Sequence, residues 1–374
     1  MVFGPGAVAA AAREVKSLGT RVLVVTGSAS CEALGIEHEL GAALVGENVG
    51  RIRVPHEPDV PLADFAGASA RALGAEVVLV IGGGSAIDVA KAAAVLATND
   101  GSARLYLEGI PGQTPAPIAR TPLPVVCVPT TAGTGSEVTK NSVLQVPDLR
   151  VKRSMRAESM FPLSAYVDPQ LSGRAPALVR AGSGFDALTH NVEAFCSSAA
   201  SPFTDALALE GIERALSGLR ALAGGTPGDD AAADLALAST LGGITLANAG
   251  LGAAHGLVAP LGGYHPSIPH GAALACLLPA TLRVNAAAVA RDSTGEQRLL
   301  EVARLVSGQG ASVEAAAGEL VALRRTLGLP SLASYANLEL DAIVAAPSGS
   351  LKTNPVTLGA AALRSILTQA LADG

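Results

Sequence analysis

The sequence contains no tryptophan, and aromatic residues occupy only 3% of its 374 positions. Hydrophobic residues nevertheless reach 49%, so the core has to be built mainly from Ala, Val, Leu and Ile, which suits closely packed helices. Charged residues are few, at 16%, and the composition is that of a globular protein rather than a disordered one. A chain of this length exceeds one ordinary hydrophobic core, which predicts two domains.

Other features that are missing exclude further classes of protein. No long basic cluster is present and the net charge is −6, which argues against a nucleic-acid partner. The start of the chain lacks the pattern of a signal peptide, and no apolar run resembles a membrane span. Disulfides and thiolate zinc sites are not expected, because no C-x-x-C pair occurs among Cys31, Cys127, Cys196 and Cys276. We therefore expect a cytoplasmic protein with no membrane or nucleic-acid partner.

The two halves of the sequence differ in their periodicity. In the first half, short β-branched runs alternate with amphipathic segments, which predicts βαβ units and a mostly parallel sheet. Beyond about residue 168 the pattern is helical, with almost no strand signal. We predict an α/β domain over 1–165 and an all-helical domain over 166–374. The elements expected in the first half are strands at 21–25, 51–54, 76–81 and 124–128 and helices at 62–73 and 85–97.

A glycine-rich turn follows a strong predicted strand and opens a helix. Gly82, Gly83 and Gly84 let the backbone approach a ligand closely, and a helix beginning near Ser85 presents free N–H groups to a phosphate. The spacing is not the G-x-G-x-x-G pattern of a standard Rossmann domain. A structural explanation stays open, in which Ser85 and Asp88 form a capping box that only shapes the helix end.

A second segment rich in glycine and hydroxyl groups, at 129–139, follows the next strong strand. Two such loops at the ends of successive buried strands fit a dinucleotide lying across the strand ends. A purely structural loop could have the same composition. The candidate cofactor contacts in this segment are Thr130, Thr131, Thr134 and Thr139.

The helical half collects carboxylate and imidazole side chains. Asp186 and His190 are spaced i, i+4, which puts both on one helix face, and four of the six histidines fall between 190 and 270. An ion pair on a helix surface is the commoner explanation of this pair taken alone. Together with His255 and His270, however, the pair makes a donor set that suits Fe(II) or Zn(II).

Several blocks of the sequence resemble the signature blocks of the iron-containing (group III) alcohol dehydrogenases. These blocks are GGGSAID at 82–88, PTTAGTGSEVT at 129–139, GFDALTHNVE at 184–193 and NAGLGAAH at 248–255, with further matches at 260–263 and 269–271. The resemblance implies a nucleotide-binding α/β domain and an all-helical metal-binding and substrate domain, with the active site between them. It implies four metal ligands, Asp186, His190, His255 and His270. It also implies cofactor contacts at the glycine turn, the Thr-rich loop and Lys152.

The activity implied by the resemblance is hydride transfer between NAD(P)(H) and a small alcohol, aldehyde or ketone. A divalent metal, Fe²⁺ or Zn²⁺, would act as a Lewis acid on the substrate oxygen. The protein would hold the reacting carbon and the cofactor in line. Relatives of this family also lead us to expect a homodimer or a higher homo-oligomer.

The resemblance bears on the choice between NAD and NADP. NAD-specific sites place an acid on the ribose hydroxyls, where it would repel a 2′-phosphate. In relatives this acid follows the first strand, but here that position is Gly27, followed by Ser28. We expect both residues to contact the cofactor, with NADP(H) slightly favoured because no carboxylate is present.

One position departs from the family pattern. Relatives usually have a further histidine four residues after the third ligand, and this chain has Ala259 there. His265 lies in the loop that follows, where it either restores a polar group to the pocket or is simply exposed. The candidate catalytic residues are His265 and Lys152, with solvent or His265 supplying the proton during reduction.

Three alternatives stay open at this stage. A reductase of an acidic substrate, like maleylacetate reductase, would suit the missing histidine and the cationic stretch at 150–156, but the intact ligand set argues against it. A lyase like dehydroquinate synthase shares the architecture, yet the acid, lysine and arginine set that it needs is not found. A member of the family kept only for binding or assembly has Ala259 as its sole support.

Overall fold

The computed structural model describes residues 1–27, 48–225, 227–335 and 338–374. They form two compact units, the first comprising Met1–Thr131 and Gly135–Ala175 and the second comprising Ala132–Thr134 and Pro176–Gly374. The boundary expected at 165/166 falls inside a strand, Ser164–Val167, that pairs within the sheet of the first unit. The division between the units therefore follows Ala175.

The first unit is built on a six-stranded parallel sheet with the order β1-β8-β5-β4-β2-β3. Strands β4 and β5 are buried along their whole length, as expected for a parallel sheet covered on both faces. The described strands of this sheet are β1 Val2–Phe3, β2 Arg21–Gly27, β3 Asn48–Val54, β4 Val77–Gly82, β5 Val125–Pro129 and β8 Ser164–Val167. The described helices of the unit are α1 Ala7–Leu18, α2 Val60–Leu73, α3 Gly84–Thr98 and α4 Pro169–Gly173.

Successive residues of the central strands serve opposite layers of the core, because side chains alternate across a strand. Val24 and Leu79 pack in one cluster with the buried face of α1. Leu23 and Val80 pack in another with residues of α2 and α3. The predicted α/β arrangement is confirmed. Because β4 and β5 run parallel, their carboxyl ends lie at the same edge of the sheet.

An antiparallel hairpin in the first unit was not anticipated from the sequence. Strands β6, Asn141–Val146, and β7, Val151–Arg156, pair with Val143 opposite Ser154. In β7 only Val151 and Met155 are buried. The charged residues between and after them hide the apolar alternation that would have predicted a strand.

In the second unit the structure describes helices and no strand over 176–225, 227–335 and 338–374, which confirms the predicted all-helical half. Many contacts between its helices run through glycine, so helix backbones approach without aromatic side chains between them. The described helices are α5 Ala177–Cys196, α6 Pro202–Ala223, α7 Asp229–Ala249, α8 Ala253–Tyr264, α9 His270–Ala288, α10 Thr294–Ser307, α11 Val313–Thr326, α12 Leu340–Ala345 and α13 Ala360–Ala372.

Helix α9 is the single helix of the described ranges that has the length and apolar composition of a membrane span. Of its apolar window, 72% is buried inside the protein, as is common for the core helix of a soluble protein. Helices α7 and α8 meet the same test only as a pair, bent by 102°. These features are weak evidence for a membrane span.

Two glycine-to-alanine substitutions test the helix packing. At Gly67 in α2, an added Cβ would lie 2.4 Å from Cβ of Leu96 in α3, so Gly67→Ala should destabilise the protein by about 1–3 kcal/mol through overpacking. At Gly318 in α11 no atom lies within 4 Å of an added Cβ, and Gly318→Ala should stabilise by up to about 1 kcal/mol. Urea unfolding measures the free energy of unfolding of both variants. If Gly67→Ala were as stable as the wild type, α2 and α3 would be less closely packed than described.

Candidate active site

The glycine turn joins β4 to α3 without a side-chain cap. Gly83 is the N-cap residue in an extended conformation, and no side chain hydrogen-bonds to the first turn of α3. The capping box considered for Ser85 and Asp88 does not form, because the Asp88 carboxylate accepts hydrogen bonds from Ser136 Oγ at 3.0 Å and from the N–H of Val143 at 3.2 Å. The helix N-terminus keeps the character of an anion site.

Close backbone approaches explain why glycine is needed here. A Cβ at Gly82 would lie 2.5 Å from Cβ of Ala86 and 3.0 Å from the nitrogen of Gly27. A Cβ at Gly83 would lie 2.9 Å from Oγ1 of Thr131. These contacts place the glycine turn beside the last residue of β2 and the start of the Thr-rich loop.

The Thr-rich loop is anchored to the turn by its backbone. The N–H of Thr130 donates to the carbonyl of Gly82 at 3.0 Å. The structure thus brings five candidate cofactor residues of the sequence analysis to one edge of the sheet, Gly27, Gly82, Gly83, Thr130 and Thr131, with Gly84 and Ser85 opening the adjoining helix. Ser28 lies outside the described residues.

Two further candidate cofactor contacts, the partly buried Asp88 and the buried Thr139, are hydrogen-bonded within the protein. Burial raises the pKa of Asp88 to about 6, against the opposing charge of Lys91 and the hydrogen bonds to the carboxylate. The ammonium of Lys91 donates to Oγ1 of Thr139 at 3.1 Å. The sequence does not predict that Asp88 and Thr139 lie beside a buried lysine, because lysine side chains are almost always exposed to solvent.

Lys152 lies on β7, and its Nζ is 2.7 Å from Oε2 of Glu57. The lysine side chain is only 11% exposed. In the same cationic stretch, Arg156 pairs with Glu108 at 3.0 Å. The stretch is therefore neutralised at two of its positions by acids from other parts of the first unit.

The metal-ligand candidates come together in the second unit around one carboxylate oxygen. Oδ1 of Asp186 lies 3.4 Å from Nε2 of His255, 3.5 Å from Nδ1 of His190 and 3.9 Å from Nε2 of His270. One donor atom from each of Asp186, His255 and His270 lies within 4.8 Å of the others. His190 stacks on His255 with ring centroids 4.3 Å apart.

Three helices deliver this cluster. Asp186 and His190 lie one turn apart on α5, as their spacing predicted. His255 lies in the first turn of α8, and His270 is the first residue of α9. Asp186, His190 and His255 are buried, whereas the His270 side chain is 34% exposed, so the cluster is accessible from one side.

The electrostatics of the cluster favour a cation. Burial acts to raise the pKa of Asp186, but His190, together with a hydrogen bond from His255, holds that pKa well below its usual range. Burial lowers the pKa of His190 to about 4. Burial also disfavours charge on His255, yet its hydrogen bonds to Asp186 and Glu193 raise its pKa to about 9. Carboxylate and imidazole donors around a buried negative charge fit a divalent first-row metal.

Glu193 holds His255 from behind. Its Oε2 lies 2.6 Å from Nδ1 of His255, and its Oε1 accepts a hydrogen bond from the N–H of Ala254 at 2.7 Å. Because an ionised carboxylate can only accept, Nδ1 of His255 donates to Glu193, and Nε2, which faces Asp186 at 3.4 Å, is the nitrogen left for a metal. Glu193 ends the family block at 184–193, and the sequence alone assigns it no role. Its position three residues after His190, on the same helix face, was an available signal.

The other buried histidine has a backbone partner. The carbonyl of Gly133 lies 3.2 Å from Nδ1 of His190, so this nitrogen donates and Nε2 of His190 is the remaining donor to a metal. A Cβ at Gly133 would lie 2.9 Å from the backbone of Ser183, so only glycine fits there. Thr134, a candidate cofactor contact, follows in the same short segment of the second unit.

Known proteins are similar to this chain along nearly its whole length. Residues 1–169 match the iron-containing alcohol dehydrogenase family, and residues 180–370 match the C-terminal domain of the Fe-containing alcohol dehydrogenase family. This chain belongs to the iron-containing alcohol dehydrogenase family.

Individual relatives support the same assignment. Lactaldehyde reductase of Escherichia coli K12 is 34% identical over 340 residues, which cover 88% of this chain and 85% of the relative. A halo-thermophilic archaeal alcohol dehydrogenase from a Red Sea brine pool superposes with a TM-score of 0.90 at 26% identity, covering 99% of this chain and 96% of its own. Sulfoacetaldehyde reductase of Bifidobacterium kashiwanohense, solved with NAD⁺, gives 0.83 at 27% identity, with coverage of 99% and 96%.

These matches confirm the predicted fold and the predicted general activity. The enzyme is a metal-dependent oxidoreductase of the alcohol dehydrogenase and aldehyde reductase type. Within the family fold, Ala259 lies on α8, and His265 follows that helix as its C-cap residue. Nε2 of His265 lies 2.7 Å from Oε2 of Glu339, close enough for an ion pair but not aligned as a hydrogen bond. The described contacts of His265 do not include any of the four metal-ligand candidates.

Glu193→Gln tests the support of His255. The amide keeps the shape of the side chain but removes its charge, so we expect metal affinity to fall by about 10–100-fold, as for other changes behind a metal ligand. Elemental analysis and the rate of metal loss to a chelator measure this. Glu210→Gln is the matched control, because Glu210 forms an exposed pair with Arg214 at 2.7 Å and should leave metal binding unchanged. Equal metal retention by Glu193→Gln and wild type would contradict the assignment.

Proposed function

We propose that Asp186, His190, His255 and His270 bind one divalent cation, Fe²⁺ or Zn²⁺, and that the enzyme uses NAD(P)H to reduce a small aldehyde or ketone, or runs the reverse oxidation. The observation that carries the proposal is the cluster of Asp186, His255 and His270, whose donor atoms lie within 4.8 Å of one another, with the buried His190 stacked on His255. Such a metal supplies Lewis acidity to a substrate oxygen.

The chain's own groups prepare this site for a cation. Glu193 holds Nδ1 of His255, and the carbonyl of Gly133 holds Nδ1 of His190. Nε2 of each ring is therefore the nitrogen that would bind the cation, which takes the place of any proton there. Asp186 stays ionised because of the imidazoles around it. His270, the partly exposed member, marks the side from which a substrate reaches the site.

For the cofactor, we propose that the glycine turn and the N-terminus of α3 bind the pyrophosphate of NAD(P)(H), with Thr130 and Thr131 beside it. The uncapped helix end and the backbone contact between Thr130 and Gly82 support this assignment. NADP(H) is slightly favoured, since β2 ends at Gly27 with no carboxylate at that position. Lys152, held by Glu57 at 2.7 Å, and Thr134 are further proposed contacts.

The proton delivered during reduction comes from solvent or from His265. His265 remains a candidate because its side chain is 16% exposed and carries an acidic neighbour, Glu339. We further propose a homodimer or a higher homo-oligomer that works in the cytoplasm. Since lactaldehyde and sulfoacetaldehyde reductases are among the relatives, short polar aldehydes are the first substrates to test.

The structure weakens the case for a reductase of an acidic substrate. It relied on the cationic stretch at 150–156, where Lys152 is now paired with Glu57 and Arg156 with Glu108. A keto acid nevertheless belongs in the substrate panel, because a metal-independent reductase would act on it after chelation.

His190→Ala tests the metal and the activity together. We expect metal content to fall and reductase activity to drop by at least about 100-fold, because a ligand and the ring stacked on His255 are both removed. The assay uses an aldehyde and keto-acid panel with NADH and with NADPH, in enzyme loaded separately with Fe²⁺ and Zn²⁺. His56→Ala, at an exposed histidine, is the control. Full activity in metal-free wild type or in His190→Ala would refute the proposal.

A further inference from the structure

A buried positive charge and a partly buried negative charge lie on α3, one turn inside the helix that the glycine turn opens. Lys91 is 1% exposed, and Asp88 precedes it by three residues on the same helix. Neither residue belongs to the metal cluster, and both lie in the first unit. Burying an ammonium group in a protein is unfavourable unless strong hydrogen bonds compensate, so this lysine requires an explanation.

The ammonium group of Lys91 is surrounded by acceptors from a single segment of chain, 136–141. It donates to the carbonyl of Ser136 at 2.5 Å and to the carbonyl of Asn141 at 3.0 Å. It also lies 3.1 Å from the hydroxyl oxygens of Ser136 and Thr139. Two of these four partners are backbone carbonyls, so the lysine fixes the course of the main chain as well as its side chains.

Asp88 holds the following residues of the same segment. Its carboxylate accepts from Ser136 Oγ at 3.0 Å and from the N–H of Val143 at 3.2 Å. Its own backbone carbonyl accepts from Ser142 Oγ at 2.8 Å. One turn of α3 therefore ties down the chain from residue 136 to residue 143.

The segment held in this way continues the Thr-rich loop. Thr130 is hydrogen-bonded through its N–H to Gly82, and Thr131 lies against Gly83. The loop is thus fixed at one end by β5 and the glycine turn, and beyond it by Lys91 and Asp88. An apolar residue in place of Lys91 would fill the space but would leave the carbonyls of Ser136 and Asn141 without this donor.

We propose that Lys91 is a positioning residue for the dinucleotide: with Asp88, it fixes segment 136–143 so that the Thr-rich loop keeps its shape beside the glycine turn. This inference rests on the proposed function of that turn. It also changes the role of two candidate contacts, because Asp88 and Thr139 then act on the cofactor through the loop rather than by touching it.

The test is Lys91→Met in the metal-loaded enzyme. We expect the Kd for NADPH, measured by titration calorimetry, to rise about tenfold or more, since buried carbonyls lose their donor. The KM for NADPH should rise with it, while metal content and the KM for the aldehyde stay near wild type. The double variant Asp88→Asn with Lys91→Met removes both charges and should bind NADPH as weakly as Lys91→Met, because the carbonyls still lack their donor.

Arg324→Met is the matched control for a loss of stability alone. Arg324 is also buried, at 2% exposure, and its partners lie at Leu329 and Asp373 in the second unit. Both single variants should lower Tm, but only Lys91→Met should weaken NADPH binding. If Lys91→Met and the double variant bind NADPH like wild type, Lys91 is only structural and the inference is wrong, whereas failure of the wild type to bind either dinucleotide would instead refute the proposed function.

A measurement on the unmodified enzyme covers the case in which the variants do not fold. Amide hydrogen exchange should slow within 136–143 when NADPH is added, because the proposal couples this segment to the cofactor. Exchange within 306–326, at the end of α10 and along α11, serves as the internal reference. No change within 136–143 under saturating NADPH would overturn the inference.

Discussion

The second unit is organised around the burial of negative charge at Asp186 and Glu193. Two carboxylates on one helix, both in the interior, are costly unless positive charge or hydrogen-bond donors meet them. Here α8 and α9 each direct a histidine to this face of α5, and backbone N–H groups of α8 meet Glu193. The positions of three helices are thereby linked to one electrostatic requirement, which the proposed divalent metal would satisfy.

Close approach between helices is the second condition for this arrangement. A Cβ at Gly271 would lie 2.1 Å from the carbonyl oxygen of Gly182, so α9 can start against α5 only with glycine after His270. Gly242 similarly lies under His190, where a Cβ would be 3.0 Å from the histidine Cβ. The scarcity of aromatic residues noted in the sequence agrees with a core in which backbones meet directly.

How far the sequence predicted this structure depends on the kind of feature. Local patterns predict three features that the structure has: the strands β4 and β5, the turn between β4 and α3, and the placement of Asp186 and His190 on one helix face. The hairpin of β6 and β7 was missed because charged residues interrupt its alternation. Lys91 was missed because its burial depends on acceptors about fifty residues away in sequence, which no local pattern reveals.

The same reasoning applies to the residues behind the cluster and to His265. Glu193 shares a helix face with His190, but its role depends on the position of the first turn of α8. That position is set by tertiary packing and cannot be read from the local sequence. His265 and Glu339 likewise lie far apart in sequence, one following α8 and the other preceding α12. The loop sequence alone therefore could not decide whether His265 lies in the pocket or is exposed. The proposed metal ligands could be named from the sequence because the family blocks carry them, whereas their supporting contacts could not.

Helix α8 contains Pro260, which has no N–H to donate to the carbonyl of Gly256. The N–H of Ser348 donates to that carbonyl at 2.9 Å, and Ser348 Oγ donates to the carbonyl of His255 at 3.2 Å. In the same stretch, Asn354 accepts from the N–H of Ala253, at the start of α8. A segment some ninety residues downstream thus completes the helix that presents His255, so changes in that segment would disturb the proposed metal centre although it supplies none of the proposed ligands.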